Sequence, residues 1–179
     1  DALLLADGSW PSYTYRPSLV MEGYTVIAEE MRRAFKRGAQ PWPTHVFLQA
    51  GVGGLASAIA HMIRRNWTEQ PDIIIVEPVA APCLKNRHEA GKIVHAPGPV
   101  SNMGRLDCKD PSLVAFHALE KCDVSYATVS DDEANAAVAK LEGYGIMSTP
   151  SGTAGYTALL KADLPDDAHP LVIISEGAV

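Results

Sequence analysis

The 179-residue chain lacks the features that mark several large function classes. No apolar run approaches the roughly 18 residues of a membrane-spanning helix. Basic residues are in deficit: 15 Lys and Arg stand against 21 Asp and Glu, a formal net charge of −6, which leaves no basic stripe for nucleic-acid phosphates. Cysteine is scarce. Cys83, Cys108 and Cys122 contain no CxxC pair, so a zinc knuckle and a disulfide framework are both excluded. The six histidines include no HExxH and no pair at i, i+4, and no metal site is expected. GxSxG is absent, which removes the usual serine-hydrolase elbow. The sequence opens on DALLLADGSW, without an initiator Met, signal peptide or targeting arm, and it reads as part of a longer protein.

What is present is an ordinary core-forming composition, 47% hydrophobic and 20% charged, enough for one domain. Short continuous apolar runs at 2–6, 44–49, 73–76, 124–129 and 171–175 read as strands covered on both faces. Helical spacing of apolar residues predicts helices over 18–37, 55–65, 112–121, 131–142 and 153–161. Asp131 and Asp132 suit the start of their helix, and Gly38 and Gly143 suit helix stops. The β-α-β-α order predicts an α/β fold: a doubly wound, mainly parallel sheet flanked by helices, one domain over 1–179. The stretch 80–110 holds Gly, Pro and Asn and few apolar runs, and reads as a functional loop region. Cys83 and Cys108 lie in it; a bridge between them is open, although free thiols fit a cytoplasmic protein better.

Chemistry concentrates at the ends of the strands. Gln49-Ala50-Gly51-Val52-Gly53-Gly54-Leu55 joins a strand to a helix, where glycines can turn backbone N–H groups toward an anion. No Gly-Lys-Ser/Thr follows, and the spacing is not GxGxxG, so a phosphate monoester fits better than a nucleotide or pyrophosphate. The bland alternative is a tight turn with glycines for helix–strand packing. Asp7, in Asp7-Gly8-Ser9-Trp10, is either a general acid/base at the rim or a turn residue. Ser175 ends the last strand and either hydrogen-bonds a ligand nitrogen or satisfies local backbone. Ser151, in Ser151-Gly152-Thr153-Ala154-Gly155, is a helix cap or a wall of the pocket. Glu77-Pro78 is an edge turn or a pocket residue.

In this order the segments resemble the cofactor domain of fold type II (β-family) pyridoxal-phosphate enzymes: the glycine turn after THVFLQ, then IIIVEP, SGTAG and IISEG. Within that group DGSWPSYTY and MEGYTVIAEEM are similar to the diaminopropionate ammonia-lyase family. The resemblance implies that Gly51, Val52, Gly53, Gly54 and Leu55 hold the phosphate of pyridoxal 5'-phosphate, and that Ser175 faces the pyridine nitrogen. It implies that Asp7 moves the Cα proton in elimination of ammonia from 2,3-diaminopropionate, giving pyruvate and ammonia, and it places Ser151 near the cofactor. A serine/threonine dehydratase is the rival within the class, and Asp7 with Trp10 favours the first. A non-catalytic small-anion or nucleotide-binding module is the alternative outside it.

The family's cofactor-binding lysine lies upstream of the matched segments, and no lysine of this chain sits in the corresponding motif. The resemblance therefore implies the C-terminal part of the large domain. An N-terminal segment or companion chain would supply the lysine, the small domain would be absent, and 1–179 alone would be inactive. It further implies a cytoplasmic homodimer. Pro150 stands where related enzymes often carry an acidic residue.

Overall fold

The computed structural model describes residues 5–38 and 40–177. Its elements in chain order are α1 (Tyr15–Lys36), β1 (His45–Gln49), α2 (Gly54–Asn66), β2 (Asp72–Pro78), α3 (Cys83–Ala90) and α4 (Leu113–Leu119). Then come β3 (Ser125–Val129), α5 (Asp131–Glu142), α6 (Pro150–Lys161) and β4 (Pro170–Val172). The strands form one sheet in the order β3-β2-β1-β4, and every pairing is parallel. Phe47 lies opposite Ile74 on one side and Val172 on the other.

Alternation within the apolar strands explains their composition. Val46, Leu48, Ile73 and Ile75 join Ala28, Ile59 and Ile63 in the core beneath α1 and α2. Phe47 and Val76 point the other way, into a second core with Ala134, Ala154 and Ala158 beneath α5 and α6. Both faces are covered, so the middles of β1 and β2 are apolar on both sides, and polar residues such as Gln49 and Glu77 stand at the strand ends. The outer end of the α1–α2 layer is closed by Phe35, Trp42 and Trp67, with ring centroids 5.5–5.6 Å apart. Trp67 Nε1 donates to Ala28 O at 3.3 Å, so this buried ring keeps a polar partner.

Small residues let α6 lie close against the sheet. A Cβ on Gly155 would stand 3.0 Å from Phe47 O and 3.1 Å from Gln49 Oε1. The sequence-derived helix begins at 153, but α6 starts at Pro150, since proline suits the first helical position and Thr149 accepts from Gly152 N at 3.0 Å. Ser151 is thus not the cap. α1 likewise starts at Tyr15, with Pro17 inside its first turn. α5 is capped by Ser130 in a reciprocal box with Glu133. Asp131 instead accepts from Ser101 Oγ and Asn102 N, at 2.5 and 2.9 Å, and pins the long 91–112 segment to α5.

Two other expectations need correction, and a third lies mostly outside the described residues. The strand expected over 2–6 lies mostly outside the described residues, and Leu5 and Ala6 carry no strand. The last strand pairs only through Val172, after which the chain leaves the sheet. Within the expected loop region, α3 forms between Pro82 and the left-handed Gly91 (φ 64°), the start-and-stop pair that a short polar helix shows instead of apolar periodicity.

Glu77, fully buried at the end of β2, fixes the start of α3. Its carboxylate oxygens accept from Leu84 N at 2.8 Å and Lys85 N at 2.9 Å. Burial outweighs those two donors and pushes its pKa up to about 7. Between pH 4.5 and about 7 the folded chain holds a proton that the unfolded chain has released, so stability falls as pH rises through this window. Glu77→Gln should remove that slope, of order 1–3 kcal/mol, in urea denaturation across the window. Gly155→Ala should cost about 1–3 kcal/mol through the backbone contact. Gly23→Ala, inside α1 with nothing within 4 Å, should add about 0.5–1 kcal/mol in the same assay.

Candidate cofactor site

At the carboxyl ends of β1 and β4 the chain encloses a cavity of about 490 Å³. Its walls include Asp7, Met21, Tyr24, the whole turn 49–55, Arg105, Leu106 and 173–176. This is the edge of an open parallel sheet where ligands collect, and the volume suits a small organic molecule.

The floor is the glycine turn. Gly53 adopts φ 100°, a left-handed conformation, as the residue before α2. Ser57 N–H donates to Gly53 O at 2.9 Å and starts the helical ladder. The N–H groups of Gly53, Gly54 and Leu55 take no acceptor among the described residues, as expected of a first helical turn. These residues line the cavity, at the positive end of the α2 dipole. Two glycines are imposed by the surroundings. A Cβ on Gly51 would stand 2.8 Å from Arg105 O, and one on Gly53 would stand 3.0 Å from Leu84 Cδ1. The N–H of Leu84 is one of those that Glu77 pins, so a buried carboxylate at the end of β2 shapes the turn at the end of β1.

The far wall is the segment after β4. Gln49, the last residue of β1 and 3% exposed, donates from Nε2 to Ile173 O at 2.8 Å and to Ser175 Oγ at 2.9 Å. Ser175 thereby shares the cavity with the glycine turn. Glu176 is tethered beside it by the Thr149 hydroxyl, and its Oε1 lies 3.6 Å from Arg105 Nε at the mouth.

Asp7 occupies the rim on an anchored loop. Ser9 Oγ bonds Ser112 Oγ at 2.7 Å and accepts from Val114 N at 2.8 Å. Ser9 O accepts from Leu113 N, and Tyr13 OH accepts from Ala6 N at 3.0 Å. Trp10 stacks on Tyr13 with centroids 4.4 Å apart. Beneath this loop Cys108 and Cys83 are free thiols. Burial first, and then the Asp7 charge, raises the Cys108 thiol to about 11; burial also drives Cys83 well above the usual range. Both stay protonated at neutral pH, and Cys83 Sγ donates to Gly51 O at 3.5 Å.

The structure thus brings Asp7, Gly51, Val52, Gly53, Gly54, Leu55 and Ser175 to one cavity. Ser151 stays off its wall: it is 3% exposed, and its Oγ accepts from Arg105 N at 3.2 Å. Sequence reasoning did not single out Gln49, although a glutamine ending an apolar buried strand is itself a signal of a polar partner. It also missed the support that Glu77 and Leu84 give the turn, because α3 went unread. Among the described residues no group of three His, Cys, Asp or Glu is placed to hold a metal, and no helix is long and apolar enough to cross a membrane.

Comparison with known proteins places this geometry in context. The diaminopropionate ammonia-lyase of Escherichia coli strain K12 is 30% identical over 194 aligned positions, covering 97% of this chain and 48% of that enzyme. That of Salmonella typhimurium is 31% identical over 139 positions, 75% of this chain and 34% of the enzyme. The crystal structure of the E. coli enzyme in complex with an aminoacrylate-PLP azomethine reaction intermediate superposes with a TM-score of 0.85, at 30% identity, over 97% of this chain and 49% of that one. A threonine deaminase from T.th. shares the fold, with a TM-score of 0.80 at 24% identity over 90% of this chain and 57% of its own. The chain spans about half the length of the E. coli enzyme. The family model described as pyridoxal-phosphate dependent enzyme matches residues 4–176, and the chain belongs to that family.

Proposed function

We propose that the protein containing this chain is a lyase that eliminates ammonia from 2,3-diaminopropionate, with pyridoxal 5'-phosphate as cofactor. The observation that carries this reading is the cradle of spare main-chain N–H groups at Gly53, Gly54 and Leu55, with Ser175 across the cavity. The residues fit the group. A single phosphoryl group needs several converging donors at a helix N-terminus, and side chains at 51 and 53 would collide with the cradle's own walls. Gly51, Val52, Gly53, Gly54 and Leu55 would hold the phosphate, and Ser175 would meet the ring nitrogen. Ser151 contributes indirectly, by holding the Arg105 backbone beside the cavity. When bound, pyridoxal phosphate supplies the electron sink that lets a Cα proton and a β-substituent leave.

The chain's residues do the positioning and the proton work. Asp7, on a loop fastened through Ser9 and Tyr13, exchanges a proton with the substrate Cα from the rim side. A carboxylate is also a natural partner for a substrate that carries a second ammonium group, which a hydroxyamino acid lacks. This favours the ammonia-lyase over a serine/threonine dehydratase, as do the 30% identical relatives. Among the described residues no lysine lines the cavity, so a segment outside 1–179, or a companion chain, would provide the lysine that bonds the cofactor and acts on the opposite face. The proposal includes a homodimeric assembly in the cytoplasm, where the three free thiols stay reduced.

The test is turnover. The purified protein should release pyruvate from 2,3-diaminopropionate and far less from threonine; the reverse preference would make it a dehydratase. Asp7→Asn should slow one stereoisomer of the substrate by about 10²–10⁴-fold and the other much less; equal losses would remove Asp7 from proton transfer. Gly53→Ala should weaken cofactor binding at least about tenfold in a spectroscopic titration, because a positive φ strains any Cβ. Gly54→Ala, with Met21 Cγ at 3.6 Å, should cost less.

A further inference from the structure

Gln49 makes two directional bonds whose polarity is fixed by chemistry. Ile173 O can only accept, so the nitrogen of the Gln49 amide, and not its oxygen, faces that side. One Nε2 hydrogen is used there at 2.8 Å, and the second points at Ser175 Oγ at 2.9 Å. Gln49 is 3% exposed, and its Oε1 is buried with no donor among the described residues. Turning the amide over would set that oxygen against the Ile173 carbonyl, so the orphaned acceptor is the cost of keeping the nitrogen where it is.

A hydroxyl oxygen that accepts from Gln49 keeps its own hydrogen for another partner. Ser175 lies on the cavity wall, so that hydrogen is free for whatever occupies the cavity. We infer that Gln49 is a positioning residue: by occupying one lone pair of the Ser175 oxygen it biases the hydroxyl toward donating, and so favours an unprotonated, acceptor nitrogen on the bound ring. A ring nitrogen that carried a proton would need an acceptor at this point, and it would have to share an oxygen that already accepts from Gln49, which disfavours the protonated form. Gly155 belongs to the same device, since a side chain there would displace the Gln49 amide. The inference rests on the proposal that Ser175 meets the cofactor ring nitrogen.

The test uses the holoprotein loaded with pyridoxal 5'-phosphate labelled with ¹⁵N in the ring, and follows the ring-nitrogen NMR signal as a function of pH. In the native protein the signal should stay at the unprotonated position as pH is lowered. Gln49→Met, similar in length but without a donor, frees the hydroxyl to rotate, and a protonated fraction should appear on the acid side. Cofactor affinity should fall about three- to tenfold, the worth of one hydrogen bond. In a Ser175→Ala background the same substitution should change affinity less than about twofold, because Gln49 acts through Ser175. If Ser175→Ala moves the ring signal and Gln49→Met does not, the positioning role is wrong while the site reading stands. If Ser175→Ala leaves the signal unmoved, the site reading itself fails.

A second measurement needs no substitution at Gln49, should that variant not fold. Both Nε2 protons of Gln49 should exchange slowly with solvent in the native protein, and one of them should lose protection in Ser175→Ala. Equal protection of both in the two proteins would overturn the inference.

Discussion

Everything at this site depends on a chain reversal that leaves no room for side chains. After β1 the backbone must turn sharply, present its N–H groups outward and enter α2 within a few residues. It does so while touching the 105–108 segment on one side and Leu84 on the other. A Cβ at 51 or 53 would meet those neighbours at 2.8–3.0 Å, and at 53 the backbone angle itself excludes ordinary residues. The neighbours are in turn held from elsewhere: Leu84 by the buried Glu77, and the 105–108 segment by Ser151 and by Lys109, which bonds Ala80 O and Pro99 O. A buried carboxyl whose pKa is pushed up to about 7 by its burial is a costly way to fix a helix end. Its position explains the expense, since α3 carries the side chain that packs against the turn.

The division of labour follows from the parallel sheet. Gripping an anion with main-chain N–H groups needs no lysine or arginine, so the cavity keeps its side chains for the reacting end of a ligand. Two of these, Asp7 and Glu176, are acidic; Glu176 is held by the Thr149 hydroxyl, the loop carrying Asp7 is fastened through Ser9 and Tyr13, and Arg105 bridges toward Glu176 at the mouth. The wall opposite the grip is set by a single amide. Gln49 spans from β1 to the segment after β4, just where the ladder between those strands has ended.

Much of this was legible in the sequence because backbone demands leave strong marks. The doubly wound sheet followed from continuous apolar runs, and the observed alternation of Val46, Phe47 and Leu48 between two cores is the reason the middle of β1 is apolar on both sides. Asp7, the glycine turn and Ser175 were singled out by their place after expected strands; all of them line one cavity, although Leu5 and Ala6 carry no strand and β4 ends at Val172, short of Ser175. What escaped was side-chain logic at a distance. Asp131 looked like a cap because carboxylates favour that position, yet Ser130 satisfies the helix end and releases Asp131 to a loop thirty residues away. Ser151 looked like a pocket residue because it opens a glycine-rich helix, but the close approach of α6 to the sheet buries it. α3 has no apolar periodicity, since it is held by Glu77 and a few buried side chains.

The three tryptophans fall into two optical classes. Trp42 and Trp67 form one apolar cluster with Phe35 at the end of the α1–α2 layer, where Trp67 is 5% exposed. Trp10 is 46% exposed and lies flat on Tyr13, three residues along the chain from Asp7. Emission from the sheltered pair is therefore a gauge of global integrity, and the red edge of the spectrum, owed to Trp10, reports separately on movement of the loop that carries the rim carboxylate. One intrinsic spectrum can in this way tell loss of fold from rearrangement at the entrance, without any added label.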